Sequence, residues 1–351
     1  MRVALDAAPL SLSSGGLRRY VWELSRALAG TFPADDYLLV SDHPFTAPAA
    51  PNLKAGVGPQ SALGRRWFLW GLNRELARHG VELFHGANFE VPWLPLRPSV
   101  LTVHDLSPWM NPEWHEAAGR VRRRTPALLR LGLATMVITP SEAVRRQAVD
   151  FFHLSTNRVV AVPEAAAPHF QPVETPSHPP YFLYVGALEP RKNLLMLIEA
   201  WRAARRLAEV DLVLAGRRRA DFPALPAEPG LRLPGEVSDD ALPALYSGAV
   251  AFLYPSFYEG FALPVLEAMQ CGAAVIASRD PAILEVTGGA AVHLDARAAR
   301  EWAEALVAAA TRPQWLAGLR TQALTRARDF SWTRTARQTR EVYLEALART
   351  P

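Results

Sequence analysis

Glu259 and Glu267 flank the run Gly260-Phe261-Ala262-Leu263-Pro264, and residue types in this order can build a ligand seat. An apolar, strand-like stretch at 250–254 leads into a glycine-bearing loop. Pro264, with its fixed φ and missing N–H, suits the first turn of a helix that carries Glu267. Gly260 lets backbone approach a ligand closely, and the free N–H groups of residues 260–263 offer an anion a partly positive helix start. Beside that seat, two carboxylates can accept hydrogen bonds from sugar hydroxyls while the N–H groups hold a diphosphate. The combination suits a nucleotide-sugar. The plain alternative is that Glu259 caps the helix and Glu267 is solvated, as most glutamates near helix starts are.

Further constellations follow other strand-like runs. Gly186-Ala187-Leu188-Glu189-Pro190-Arg191-Lys192-Asn193 puts two cations where charge would develop on a departing diphosphate. Cations at a helix start oppose its dipole, which speaks against a purely structural placement. Gly15 and Gly16, before a helix, could bring backbone N–H groups to a phosphate or sugar, although paired glycines are as common in plain turns. His104 ends a strongly apolar run, and Asp105 next to it is placed to orient the imidazole. His85-Gly86-Ala87-Asn88, with Glu90 beyond, ends the preceding run and is a candidate lining for an acceptor. The chain has no Asp-x-Asp triplet, His-Glu-x-x-His or Cys pair, so nothing points to a metal site.

The Glu-Gly-Phe-x-Leu-Pro core at 259–264 with Glu267, and the Gly, acidic residue, Arg-Lys-Asn pattern at 186–193, resemble retaining glycosyltransferases of the glycogen-synthase-like family four. The resemblance extends over nearly the whole chain. It implies that Glu259 faces a donor sugar, Glu267 holds the ribose, and Arg191 and Lys192 meet the diphosphate. The Gly15-Gly16 loop would close over that diphosphate from the other side of an interdomain cleft, His104 would contact the donor sugar or its developing charge, and Gly235 and Val237 would meet the base through their backbone. It also implies a reaction needing no metal and no cofactor. The nucleoside-diphosphate sugar is then a substrate, the acceptor attacks on the face the diphosphate leaves, and the β-phosphate takes the proton. Phe84-His85-Gly86, Val103-His104-Asp105-Leu106 and Gly15-Gly16 look like bacterial surface-polysaccharide mannosyltransferases. GDP-mannose is therefore the first expectation for the donor, UDP-sugars stay open, and the acceptor is a saccharide or lipid-linked saccharide. Leu284 stands where a proline often precedes the glutamate, and Ala273-Ala274 replaces a small residue and proline; both bear on local loop geometry. A nucleotide-sugar epimerase of the same architecture and a non-catalytic nucleotide-sugar-binding scaffold are the rival readings. The intact set Glu259, Glu267, Arg191 and Lys192 disfavours both.

Loops of this kind need strand ends to hold them, and apolar β-type runs alternate with amphipathic helical stretches along the whole chain. Strands are expected at 2–6, 37–41, 82–85, 99–103, 136–138 and 159–162, with helices at 17–29, 62–79, 117–132 and 142–150. After a linker at 165–180, which holds five prolines, a second block brings strands at 181–186, 211–215, 250–254, 274–278 and 291–294. Its helices are expected at 193–206, 239–247, from 264, 297–310, 314–328 and 333–348. The fold class expected is α/β, and two doubly wound Rossmann-like domains of parallel sheets look like the GT-B architecture, which implies 1–170 on the acceptor side and 171–332 binding the nucleotide-sugar. A last helix, 333–351, returns toward the first. Ligands of such sheets sit at the carboxyl ends of the strands.

Composition narrows the class. The chain has 351 residues, half of them apolar, and no apolar run near the roughly 20 needed to span a bilayer. Residues 2–6 read as a strand rather than a signal peptide, and the single Cys271 permits no intrachain disulfide, so a cytoplasmic protein is expected. The net charge of +4 arises before residue 172, where 18 Lys and Arg face 14 Asp and Glu; beyond it 20 face 20. That argues against nucleic acid as a partner and leaves a local basic face to explain. Arg65-Arg66-Trp67-Phe68-Leu69-Trp70 with Arg74 and Arg78, and Arg120, Arg122, Arg123 and Arg124 after Trp109 and Trp114, have the composition of interfacial helices. Peripheral contact of the N-terminal domain with the inner face of a membrane follows as an expectation. The competing one buries Trp67, Phe68 and Trp70 in a core and leaves the arginines to water.

Overall fold

A computed structural model describes residues 1–59, 61, 64–175, 179–225 and 227–349, and divides the chain into two compact units. The first is Met1–Glu164 with Ser331–Pro351, the second Ala165–Phe330. Among the described residues, the first unit carries seven parallel strands: β1 (Arg2–Asp6), β2 (Asp36–Val40), β3 (Leu53–Ala55), β4 (Leu83–Gly86), β5 (Ser99–Thr102), β6 (Met136–Thr139) and β7 (Val159–Ala161). Their order is β3-β2-β1-β4-β5-β6-β7. The central strands are buried on both faces, which is why they read as unbroken apolar runs. Strand order reverses between β1 and β4, and their carboxyl ends feed the loops at 7–15 and 87–98.

The second unit holds β8 (Tyr181–Val185), β9 (Asp211–Ala215), β10 (Leu231–Gly235), β11 (Ala251–Tyr254), β12 (Val275–Ser278) and β13 (Val292–Leu294), all parallel, in the order β10-β9-β8-β11-β12-β13. Here the reversal lies between β8 and β11. The loops leaving these two strands are 186–193 and 255–262, which carry most of the candidate residues, at the switch point where open α/β sheets bind ligands.

Several elements differ from the sequence reading for identifiable reasons. The edge strands β3 and β10 were not expected: neither has an alternating or continuous buried pattern, and β10 contains Pro234, which only an edge strand tolerates. Of the helix expected at 62–79, residues 62–63 lie outside the described residues. The remainder is a π-helical segment, Trp67–Gly71, running into the helix Leu72–Arg78. Residues 176–178 of the expected linker and 350–351 of the last segment are likewise outside the described residues. A helix not anticipated, Pro281–Thr287, is capped by Asp280, whose carboxylate accepts from the N–H groups of Ala282 and Ile283. The units part after Glu164 and Phe330 rather than after 170 and 332, because Ala166, Ala167 and Phe170 pack into the second core while Trp332 lies against Tyr20 of the first.

The helix Trp332–Ala348 belongs to the first unit, and its buried stripe is Trp332, Thr335, Ala336, Thr339, Val342, Tyr343 and Ala346, a three-and-four spacing. Leu344 falls outside that stripe and is exposed. Polar contacts fix the helix: Thr335 Oγ1 donates to the Pro163 carbonyl at 2.7 Å, and Arg340 Nε donates to Asp35 Oδ2 at 2.6 Å. Among the described residues no helix is long and apolar enough to cross a membrane.

Candidate active site

In the second unit, Glu259 does not cap a helix. The residue ahead of the helix Leu263–Gln270 is Ala262, in the left-handed region at φ 70°, and no side chain caps that end. Glu259 is instead drawn into the protein, 7% exposed, with its Oε1 accepting from Lys192 Nζ at 2.6 Å and from the Ser256 hydroxyl. Arg191 Nη1 lies 3.2 Å from the same oxygen and donates to the Tyr258 carbonyl at 2.6 Å. Lys192 also donates to the Tyr254 hydroxyl at 2.8 Å. One carboxylate oxygen therefore meets both cations that the sequence placed on a different loop.

Local backbone explains how the two loops meet. Pro190–Lys192 forms a single 3₁₀ turn, and Asn193 in the left-handed region breaks it before the helix Leu194–Arg205 begins. The cations therefore stand on a turn ahead of the helix, not inside its first turn, and the dipole objection to them falls away. Gly186 has φ 147°, and a Cβ on it would come within 2.8 Å of the Tyr184 hydroxyl; only glycine can leave β8 in this direction. Glu189 buttresses the cations, accepting from Arg191 Nη2 at 2.7 Å and from Arg219 Nη1 at 2.6 Å.

The electrostatics follow from burial opposed by opposite charge. Burial pushes the Glu259 carboxyl up, but Lys192 and Arg191 outweigh it and hold the group below its usual range. Burial and the neighbouring Arg191 charge depress Lys192 against the pull of Glu259. Asp280, whose Oδ2 accepts from the Glu259 N–H at 3.3 Å, is pushed up to about 7 by burial and then by the charge of Glu259. Glu267 is not solvated: it is 1% exposed on its helix, and the Tyr246 hydroxyl donates to its Oε2 at 3.0 Å. Gly260, Phe261, Ala262 and Leu263 are buried around the helix start, with the Phe261 ring edge-on to Phe330. Gly235, at φ 74°, ends β10 with open space where a Cβ would sit, and Val237 packs on the second core.

In the first unit, Gly15 precedes the helix Gly16–Thr31 at φ 109°, again with open space around it, so this glycine answers a backbone requirement. His104 follows β5. Its Nε2 donates to the Ala87 carbonyl at 2.8 Å and its Nδ1 lies 3.4 Å from Glu164 Oε1, with the Tyr20 ring edge-on at 4.8 Å. Glu164, not Asp105, faces the imidazole. Asp105 instead accepts from the N–H and hydroxyl of Ser107, just ahead of the short helix Ser107–Met110. His85 does not line a surface either. It is fully buried, with Nδ1 2.7 Å from the Tyr343 hydroxyl and Nε2 2.7 Å from Thr102 Oγ1, which in turn meets the Tyr20 hydroxyl at 3.1 Å. Asn88 is half-buried, and Glu90 is taken up by Arg120 and Arg124.

Glu164, Asp280 and Ser256 went unnoticed at the sequence level. Asp280-Pro281 carried a readable cap signal, but its reach to Glu259 is a tertiary contact. Glu164 had no signal at all. Among the described residues no group of three or more His, Cys, Asp or Glu is arranged to hold a metal ion.

Two doubly wound units of parallel strands, one of them with a buried carboxylate between two cations at its switch point, define a glycosyltransferase of GT-B architecture. The chain belongs to the group 1, family 4 glycosyltransferases: residues 14–166 match the domain described as Glycosyltransferase Family 4, and residues 179–312 match Glycosyl transferases group 1. It is 31% identical to the O-antigen chain mannosyltransferase B of Escherichia coli over 282 residues, covering 74% of each chain. It is 28% identical to the serotype-specific mannosyltransferase WbdA of Escherichia coli over 272 residues, 70% of this chain and 33% of that longer protein. Among solved structures, the sucrose-phosphate synthase of Thermosynechococcus elongatus superimposes with a TM-score of 0.79 at 20% identity, covering 99% of this chain and 100% of that one.

Proposed function

We propose that this glycosyltransferase is a retaining, metal-independent mannosyltransferase. It moves mannose from GDP-mannose to a saccharide or lipid-linked saccharide hydroxyl in polysaccharide or glycolipid synthesis, at the cytoplasmic face of a membrane. The observation that carries this reading is Glu259 held between Lys192 and Arg191 at the switch point of the second sheet. The similarity to an O-antigen mannosyltransferase supports the choice of sugar.

In the proposed reaction the acceptor oxygen forms a bond to the anomeric carbon on the face that the diphosphate leaves. The bond from that carbon to the phosphate oxygen breaks, its electron pair goes to the diphosphate, and the acceptor proton passes to a β-phosphate oxygen. Lys192 has three N–H donors; Tyr254 and Glu259 take two, and the third is available to a phosphate oxygen. Arg191, fixed by Glu189 and the Tyr258 carbonyl, adds the second cation. Glu259 keeps both cations extended before donor arrives and then faces the sugar. Glu267 takes the ribose hydroxyls, the backbone of Gly235 and Val237 the base, and the N–H groups of residues 260–263 the diphosphate. Gly15, Gly16 and His104 are the proposed donor contacts of the first unit, with Glu164 orienting the His104 ring.

The experiment is incubation with GDP-mannose and with UDP-sugars, with and without a mannosylated acceptor, followed by NMR of the new linkage. An α-linked product from an α-linked donor, formed only with acceptor, is the expected outcome. An isomerised sugar released without acceptor would make the protein an epimerase, nucleotide binding without turnover a scaffold, and an inverted linkage would end the retaining assignment.

A further inference from the structure

The segment 64–78 splits its side chains between two environments. Trp67, Leu72 and Leu76 enter the first core, whereas Leu69 and Trp70 stay outside it, Trp70 with 52% of its surface exposed. The expectation that buries all the aromatic rings of this segment is therefore incorrect for Trp70. A loop packs beside it: Trp93 N–H donates to the Phe68 carbonyl at 2.9 Å, and Asn73 Nδ2 donates to the Leu94 carbonyl at 3.1 Å. That loop carries Leu96, at 71% the most exposed of the large apolar side chains among the described residues.

The exposed charges that these two segments carry have one sign. Arg65, Arg66 and Arg74 are exposed, and among the described residues none has an ion pair or side-chain hydrogen bond. Arg97, next to Leu96, leaves its buried Nη1 without a partner. Between residues 53 and 81 the one acid is Glu75, which is buried and paired with Arg78, and residues 91–98 contain none. An ordinary solvated face mixes both signs. The second arginine cluster named from the sequence is different, because Arg120 and Arg124 are bound to Glu90, Arg122 donates to the His115 carbonyl, and Arg123 donates to the Gly119 carbonyl.

We propose that the surface formed by residues 65–74 and 93–97 docks on an anionic lipid bilayer. The inference rests on the glycosyl-transfer reading for its purpose, since it supplies the place where a lipid-linked acceptor would be met. Trp70, Leu69 and Leu96 enter the boundary between headgroups and acyl chains while the exposed guanidiniums of Arg65, Arg66 and Arg74 meet lipid phosphates. The charge pattern selects this occupant: an apolar centre on segments whose exposed charges are all cations complements a negatively charged surface. The contact is peripheral, and none of the described helices could span the bilayer.

The test is sedimentation of the full chain with phosphatidylglycerol vesicles and with phosphatidylcholine vesicles, at low and at high salt. Binding to the first only, weakened by salt, is expected. The variant R65Q/R66Q/R74Q should bind roughly a hundredfold more weakly, at about fivefold per cation. L69S/W70S should also release the vesicles, and R123Q/R130Q, on the helix Gly119–Arg130, should bind like wild type. In wild type, Trp70 should be quenched by brominated acyl chains, a signal lost in Trp70→Phe. Wild-type protein that ignores anionic vesicles at low salt overturns the proposal, as does unchanged binding by the first two variants. Self-association through this face in light scattering, without vesicle binding, would show a copy-to-copy surface and overturn it too. Thermal shift with GDP on the same proteins keeps the two readings apart: GDP binding without vesicle binding sinks only the docking, and vesicle binding without any nucleotide effect sinks only the donor assignment.

Discussion

Lys192 and Glu259 come from loops 67 residues apart and share a bond of 2.6 Å in an almost water-free place. Removing Lys192 therefore has two effects. Lys192→Ala should lower kcat by two to three orders of magnitude, as expected for losing about 2.7–4 kcal/mol of stabilisation of charge on the leaving group. It should also lower the melting temperature, because Glu259 loses a buried partner. Near-normal turnover would remove Lys192 from the chemistry. Glu259→Gln separates the role of anchor from that of reactant: it frees both cations, so GDP binding by calorimetry should hold or tighten while turnover collapses. Glu267→Ala should instead weaken GDP binding by about 1.5–3 kcal/mol, the size of a hydrogen bond to a charged group. If GDP binds that variant normally and only catalysis fails, the assigned roles of the two glutamates are exchanged. At this scale the types and spacing of Glu259, Glu267, Arg191 and Lys192 were readable from the chain. Their partners were not. Glu164 and Asp280 act through contacts between distant stretches that no local pattern encodes, Ser256 reaches Glu259 within one loop whose shape the sequence does not spell out, and adjacency in sequence does not make His104 and Asp105 at a strand end face each other.

Elements meet at His85, where β4, β5, the Gly16–Thr31 helix and the Trp332–Ala348 helix are joined by the chain Tyr343–His85–Thr102–Tyr20. Burial, and then the charge of His104, depress His85 to about 3. The native ring is therefore neutral at pH values where the unfolded chain, titrating near 6.5, takes up a proton. This contribution to stability is complete above about pH 6.5 and is lost as pH falls from there toward 3, by up to about 1.4 kcal/mol per pH unit. Urea midpoints measured across that range should fall steeply for wild type and less so for His85→Gln. Parallel slopes for the two proteins would rule His85 out as the source. The central strands were legible because burial on both faces writes itself as an apolar run. The edges β3 and β10 were not, since they bury one side or less, and neither was the Trp67–Gly71 turn, whose glycine sits so close to the Gly64 carbonyl that a Cβ would overlap it.

At the level of the whole molecule, the first unit is completed by the last segment of the chain. Trp332, Ala336, Val342, Tyr343 and Ala346 are all buried in it, so deleting residues 331–351 should strip amide protection from the helix Gly16–Thr31 and from β4 and β5 in hydrogen exchange. The second unit should keep its protection. Loss of protection spread evenly over both units would show that the helix is not a private part of the first. The alternation of strands and helices made two doubly wound sheets legible in advance; the place where the chain passes from one to the other was less so, because Ala166, Ala167 and Phe170 read as linker and pack as core.

The discontinuity of the first unit, left at Glu164 and re-entered at Ser331, also sets an order of events at the ribosome. Its described strands are all translated before any of the second unit, yet the Tyr343 hydroxyl that satisfies His85 and the apolar stripe that covers the Gly16–Thr31 helix emerge only after it. Domains usually fold as they are synthesised, N-terminal first. Here the unit begun first must wait, unfinished, until the second has been threaded out, so the nascent chain exposes an unsealed core over that interval and has need of chaperones then.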